Sequence, residues 1–256
     1  MSAAARAYAR ARDHVQVTRQ ARAALIGSAL VTAALFAIPF GGFLIYPLLL
    51  LSTLAHELGH GLAALLTGGE FRDFYLWPDG SGMAVHSAAE GALRDAFVSA
   101  GGLVGPALVA ALAFVLARRP AVARLALAGL ALVCFALDVL VVRNSFALAY
   151  VGVVGVLLLG FSRARPALAQ GALVFFAVQL ALSVFSRADY LFTPTAITAA
   201  GAMPSDSAQI AAALGGSYWL WGAACGLFSV LVLVLGLWLF VRGSAQVGLA
   251  ALRSRA

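Results

Sequence analysis

Two histidines and a glutamate stand together in the run His56-Glu57-Leu58-Gly59-His60. On an α-helix, residues four apart project from one face, separated by about 40° around the axis. Both imidazoles can then hold one metal ion. Glu57 falls on the adjoining face, where its carboxylate can take a proton from a water that the metal polarises. Zinc suits such a site, because it accepts imidazole nitrogen readily and lowers the pKa of a coordinated water to about 7. The chemistry is hydrolytic, with His56 and His60 as ligands and Glu57 as general base. A lone histidine in an apolar run is ordinarily a packed polar residue. Two histidines and a glutamate in this register are better explained by a metal.

The element that carries the motif is apolar all round. Leu48-Leu49-Leu50-Leu51 precedes it and Leu62-Ala63-Ala64-Leu65-Leu66 follows it. A soluble zinc protease would place the same five letters on an amphipathic helix. Here the ionisable groups lie inside a membrane span, where each costs roughly 2.5–3.5 kcal/mol at the bilayer centre and so marks a functional site.

The rest of the chain agrees. Of 256 residues, 63% are hydrophobic and 11% are charged, far below the roughly 25% charged of soluble domains. A bilayer core of about 30 Å takes about 20 apolar residues per helix. Spans are expected near residues 23–40, 43–67, 95–117, 121–142, 145–162, 167–186 and 218–241. The fold class is therefore an all-α polytopic membrane protein, a bundle of about seven transmembrane helices. It divides into an Arg-rich N-terminal tail (1–22), a membrane domain (23–241) and a C-terminal tail (242–256). Pro39, Gly41 and Gly42 suit a tight turn between the first two spans. After the motif helix, Phe71–Trp77 and Met83–Ser87 flank Pro78-Asp79-Gly80-Ser81-Gly82, which predicts a short β-hairpin. Its exposed edge could pair with an unwound substrate. Residues 187–217, rich in Ser, Thr, Pro and Asp, are not membrane-like.

The net charge of +7 comes from arginine alone. These arginines sit at the ends of apolar spans, where they anchor at headgroups, and they form no patch on a soluble face suited to nucleic acid. Arg6, Arg10, Arg12, Arg19 and Arg22 place the N-terminus in the cytoplasm, and the tail reads as a surface-lying helix with no cleavable signal. Cys134 and Cys225 fall inside apolar spans and read as small core residues. His14 and His86 read as solvated.

The run His56-Glu57-Leu58-Gly59-His60-Gly61 with Leu65-Leu66-Thr67-Gly68-Gly69 resembles the site-two proteases, in a divergent branch of short members without a PDZ domain. Ser81-Gly82, Gly102-Leu103-Val104-Gly105-Pro106, Arg143-Asn144, Ser205-Asp206 ahead of Ile210-Ala211, and Trp219 with Trp221 are similar to that branch too. The resemblance implies a zinc-dependent endopeptidase of the bacterial inner membrane that cuts a transmembrane segment of another membrane protein, with the lipid bilayer as its medium. Better-known members take a third ligand from a Leu-Asp-Gly sequence, which is absent here. Three aspartates compete. Asp206 and Asp189 match acidic positions of the branch, and Asp138 stands in an apolar span where an acid is costly. Asp206 ranks first, although with Ser205 it could equally cap a helix, and Asp189 could be a loop residue. The resemblance also makes Asn144, the single Asn of the chain, a candidate for orienting substrate; a hairpin turn is its plainer role.

The missing Leu-Asp-Gly keeps a second reading open: a non-catalytic relative that holds zinc and binds or shields partner membrane proteins. A transporter would spread polar groups over several spans, whereas this chain gathers them in one helix. A serine intramembrane protease would need a Ser and a His on separate spans, and both intramembrane histidines belong to the motif.

Overall fold

A computed structural model describes residues 22–35, 37–87, 91–186 and 191–253. The Arg-rich tail before Arg22, with His14, lies outside the described residues, as does Asp189.

Among the described residues, six helices are long and apolar enough to cross a membrane. In chain order the elements begin with α1 (Arg22–Leu35) and α2 (Gly41–Leu66), followed by β1 (Glu70–Leu76) and β2 (Gly82–Ser87). Then come α3 (Ala92–Leu116), α4 (Pro120–Leu140), α5 (Ser145–Arg163) and α6 (Pro166–Ser186). The chain closes with β3 (Thr195–Thr198), β4 (Gly201–Pro204), α7 (Asp206–Leu214) and α8 (Tyr218–Arg253). The protein is an all-α polytopic membrane protein with two small sheets. Over its described residues, Arg22–Leu35, the first expected span is an apolar helix. Phe40 takes a left-handed conformation (φ 65°) at the break, and Gly41 packs against the Leu35 carbonyl too closely for any side chain.

Helix α3 is the centre of the bundle, packed against α2, α6, α7 and α8. In lipid there is no hydrophobic drive between helices, so small residues that allow close backbone approach decide where they meet. On α2 and α3 those residues are Gly59, Gly101 and Gly105: a Cβ on Gly59 would strike the Gly101 backbone, and one on Gly105 would lie 3.0 Å from the Ala55 carbonyl. The outer faces keep their apolar side chains, among them Leu62, Leu132 and Leu231, turned outward, as lipid-facing helices should.

The expected hairpin is present, antiparallel, with Phe74 opposite Ala84 and Leu76 opposite Gly82. Its β1 edge is not free. The Phe74 N–H donates to the Val141 carbonyl (2.7 Å) and the Arg143 N–H donates to the Phe74 carbonyl (3.1 Å), so the α4–α5 junction runs beside β1 as a short parallel partner. The second hairpin, β3–β4, was not legible in the polar composition of 187–217. It pairs Thr195 with Pro204 and Ile197 with Ala202, and leads directly into α7.

Candidate metal centre

Helix α2 projects His56, Glu57 and His60 toward α3, α7 and β2. The His60 ring is buried, and its Nδ1 sits 2.9 Å from the Val98 carbonyl of α3. A carbonyl only accepts, so Nδ1 carries the proton and Nε2 presents a lone pair. That Nε2 faces His56 Nε2 at 3.2 Å. The rings meet edge to face, 86° apart.

Asp206 completes the group from the far end of the sequence. Ser205 is the N-cap of α7, its Oγ accepting the Ala208 N–H at 3.2 Å and donating to the Thr193 carbonyl at 2.6 Å. Those bonds fix the first turn, and the next residue, Asp206, is thrown inward. Its Oδ2 lies 3.0 Å from His56 Nε2 and its Oδ1 lies 3.4 Å from His60 Nε2. Despite that closeness, the buried Oδ2 makes no hydrogen bond of acceptable geometry.

Lone pairs and a carboxylate converging in a buried site repel one another unless a cation lies among them. The spacing fits one. Tetrahedral ligand bonds of about 2.0–2.1 Å hold their donor atoms about 3.3 Å apart; here the two Nε2 atoms stand 3.2 Å apart, His56 Nε2 lies 3.0 Å from Asp206 Oδ2 and His60 Nε2 lies 3.4 Å from Asp206 Oδ1. Among the described residues, His56, His60 and Asp206 are the group of His, Cys, Asp and Glu whose ligand atoms gather this closely, all within 4.8 Å. Two nitrogens and one carboxylate oxygen are a donor set that zinc accepts, with a fourth position left for water or substrate. These three residues could therefore hold a metal ion.

Glu57 is buried beside them, and its Oε2 accepts the Ala84 N–H of β2 at 2.8 Å. Gly82 makes that approach possible, since a Cβ there would press on the Glu57 and Thr53 side chains. The hairpin turn is tied down by the Thr53 hydroxyl, which donates to the Gly80 carbonyl at 2.8 Å. A cavity of about 90 Å³ opens beside His56 and Glu57 and is lined in part by Ser52, Thr53, Ser183 and Ser229. It has room for ordered water. Across it the two hairpins touch, the Ala199 N–H donating to Ser81 Oγ at 3.1 Å.

Other residues singled out in the sequence lie elsewhere. Asp138 is on α4, outside this group. Asn144 turns both amide atoms to β1: Nδ2 donates to the Leu76 carbonyl (2.7 Å) and Oδ1 accepts the Leu76 N–H (3.3 Å). His86 is exposed, and its ring stacks 6.4 Å from that of His60. Val98 and Ala84 act through backbone atoms, which no residue type announces.

Gly102 carried a signal. It stands in a glycine-spaced pair with Gly105 on α3, and a Cβ there would run into the His60 imidazole. Gly102→Ala should leave the helix intact, since alanine is the better helix former, but turn His60 off its position. Zinc affinity, measured by competition with a chromogenic chelator, should fall about 10–100-fold, the loss usual when a ligand's support is removed. Unchanged affinity would mean that His60 does not ligate.

The family described as Peptidase M50B-like matches this chain over residues 26–236. No curated protein and no solved structure matches it.

Proposed function

The chain belongs to the Peptidase M50B-like family, and from that premise we propose that it is an intramembrane zinc endopeptidase that hydrolyses a peptide bond within a membrane-embedded segment of another protein. The observation that carries the reading is the convergence of His56, His60 and Asp206 donor atoms on one point inside the bundle. When bound there, zinc supplies Lewis-acid polarisation of the scissile carbonyl and makes the attacking water acidic.

The chain's own residues do the rest. Val98 holds the His60 ring in the tautomer that leaves Nε2 free to ligate. Glu57 takes the proton of the attacking water and returns it to the amine that leaves, as one carboxylate can when it reaches both atoms in turn. Ser52, Thr53, Ser183 and Ser229 give water a polar place to wait in an otherwise apolar bundle. A substrate segment must be unwound to expose its carbonyl, because helical backbone groups are already satisfied.

The test uses purified protein in detergent and a panel of single-span membrane substrates. One zinc per chain is expected, with cleavage abolished by 1,10-phenanthroline and restored by added zinc. Zinc binding without cleavage of any substrate would move the protein to the second reading, a metal-holding relative that binds partner membrane proteins. Cleavage indifferent to the chelator would sink the metalloprotease reading.

A further inference from the structure

The α4–α5 junction does more than connect two spans. Phe74 and Leu76, alternate residues of β1, are each gripped from that side. Phe74 exchanges backbone hydrogen bonds with Val141 and Arg143, and Leu76 exchanges two with the Asn144 side chain. Arg143 adds its side chain, with Nε donating to Asp73 Oδ1 at 2.6 Å and Nη2 to the Arg72 carbonyl at 3.2 Å. On the opposite side of the hairpin, the partners of those two residues are the ones that meet the general base. Phe74 pairs with Ala84, whose N–H binds Glu57 Oε2, and Leu76 pairs with Gly82, which packs on the Glu57 side chain. One continuous ladder thus runs from Asn144 through β1 and β2 to Glu57.

We propose that Asn144, supported by Arg143, is a positioning residue for Glu57 and acts through the β1–β2 hairpin, without touching substrate. A one-residue slip of β1 would turn every strand residue to the other face, and the Ala84 N–H would leave Glu57. The two-stranded sheet has little stability of its own, so its register depends on what holds its edge. The Asn144 amide, one donor and one acceptor in a plane, matches the exposed N–H and C=O of a single strand residue and selects that register. Both amide atoms are engaged in doing so, Nδ2 through one of its two N–H groups. The effect on cleavage rests on the protease reading; the effect on the hairpin does not.

The experiment compares the wild type with Asn144→Ala and Asn144→Asp, all purified as full chains in detergent. Loss of two hydrogen bonds should speed amide exchange across residues 82–87 by about tenfold or more, with zinc content retained and kcat lowered at unchanged KM. Asn144→Asp provides the rescue. Its neutral carboxylic acid has the same donor and acceptor as the amide, whereas its carboxylate puts negative charge against the Leu76 carbonyl. Exchange in 82–87, taken as a ratio to wild type at each pH so that Glu70 and Asp73 cancel, should be fast at pH 7. It should return to the wild-type rate as pH falls through the carboxyl pKa. Asn144→Ala should show no such recovery.

Exchange unchanged in Asn144→Ala with KM raised would mean that Asn144 contacts substrate, and the proposal would be wrong. If Asn144→Ala cannot be purified, the absence of acid recovery in Asn144→Asp would overturn it equally. Should the wild type cleave nothing, the exchange measurements still decide the clamp, while the protease reading fails separately.

Discussion

Glu57→Gln should reduce cleavage by about 10²–10⁴-fold, the usual contribution of a general base, while zinc content stays at the wild-type level. The reasoning is local. Glutamine keeps the shape of the side chain and an oxygen to accept the Ala84 N–H now bound at 2.8 Å, so β2 stays seated on α2. What it loses is basicity. The carboxylate is buried at 7% exposure, and a buried charge is costly, so the neutral amide should unfold at an equal or higher temperature than the wild type. Lower activity with equal or greater stability is the signature of a group kept for chemistry at the expense of the fold. The measurement is kcat on a substrate that the wild type cleaves, beside melting temperature and zinc per chain. Full activity in the variant would remove Glu57 from the mechanism; loss of zinc would show that it serves the metal site.

Asp206→Ala should weaken zinc binding by 100-fold or more, since even second-layer partners are worth about 10–100-fold. The helix that carries Asp206 should persist, because the cap of α7 is Ser205 and not Asp206. Metal linkage gives a second readout. At a free zinc concentration of 100 times its dissociation constant, the ion stabilises the fold by about 2.7 kcal/mol. For a chain of this size that corresponds to several degrees, at about 2–4 °C per kcal/mol. The wild type should therefore melt lower when chelated, and Asp206→Ala should melt at one temperature with or without zinc. Asp138→Ala is the contrasting variant, expected to keep wild-type zinc, because Asp138 sits on α4 outside the cluster. Zinc retained by Asp206→Ala and lost by Asp138→Ala would reverse the assignment.

The motif helix was legible in sequence for a simple reason. His56 and His60 owe their common face to helical period alone, and the leucines around them state the solvent. The β1–β2 hairpin was legible because Pro78-Asp79-Gly80 is strong turn chemistry between two strand-compatible runs. Residues 187–217 gave up less. Their polar composition said only that they are not a span, although they hold a second hairpin and the short helix that presents Asp206. Asn144 was visible as an isolated amide between two spans, but its partner, the Leu76 backbone, has no side-chain signature.

The sequence by itself determined the membrane class, the apolar spans in outline, the paired histidines and the glutamate beside them, since each depends on composition or on a period of a few residues. Only the tertiary structure decided that Asp206 meets the histidines while Asp138 does not, and that Asn144 grips a strand. Both are contacts between segments far apart in the chain, set by how α7 packs on α3 and how the α4–α5 junction meets β1. A helical period tells which residues share a face; it carries no information about which distant backbone arrives there.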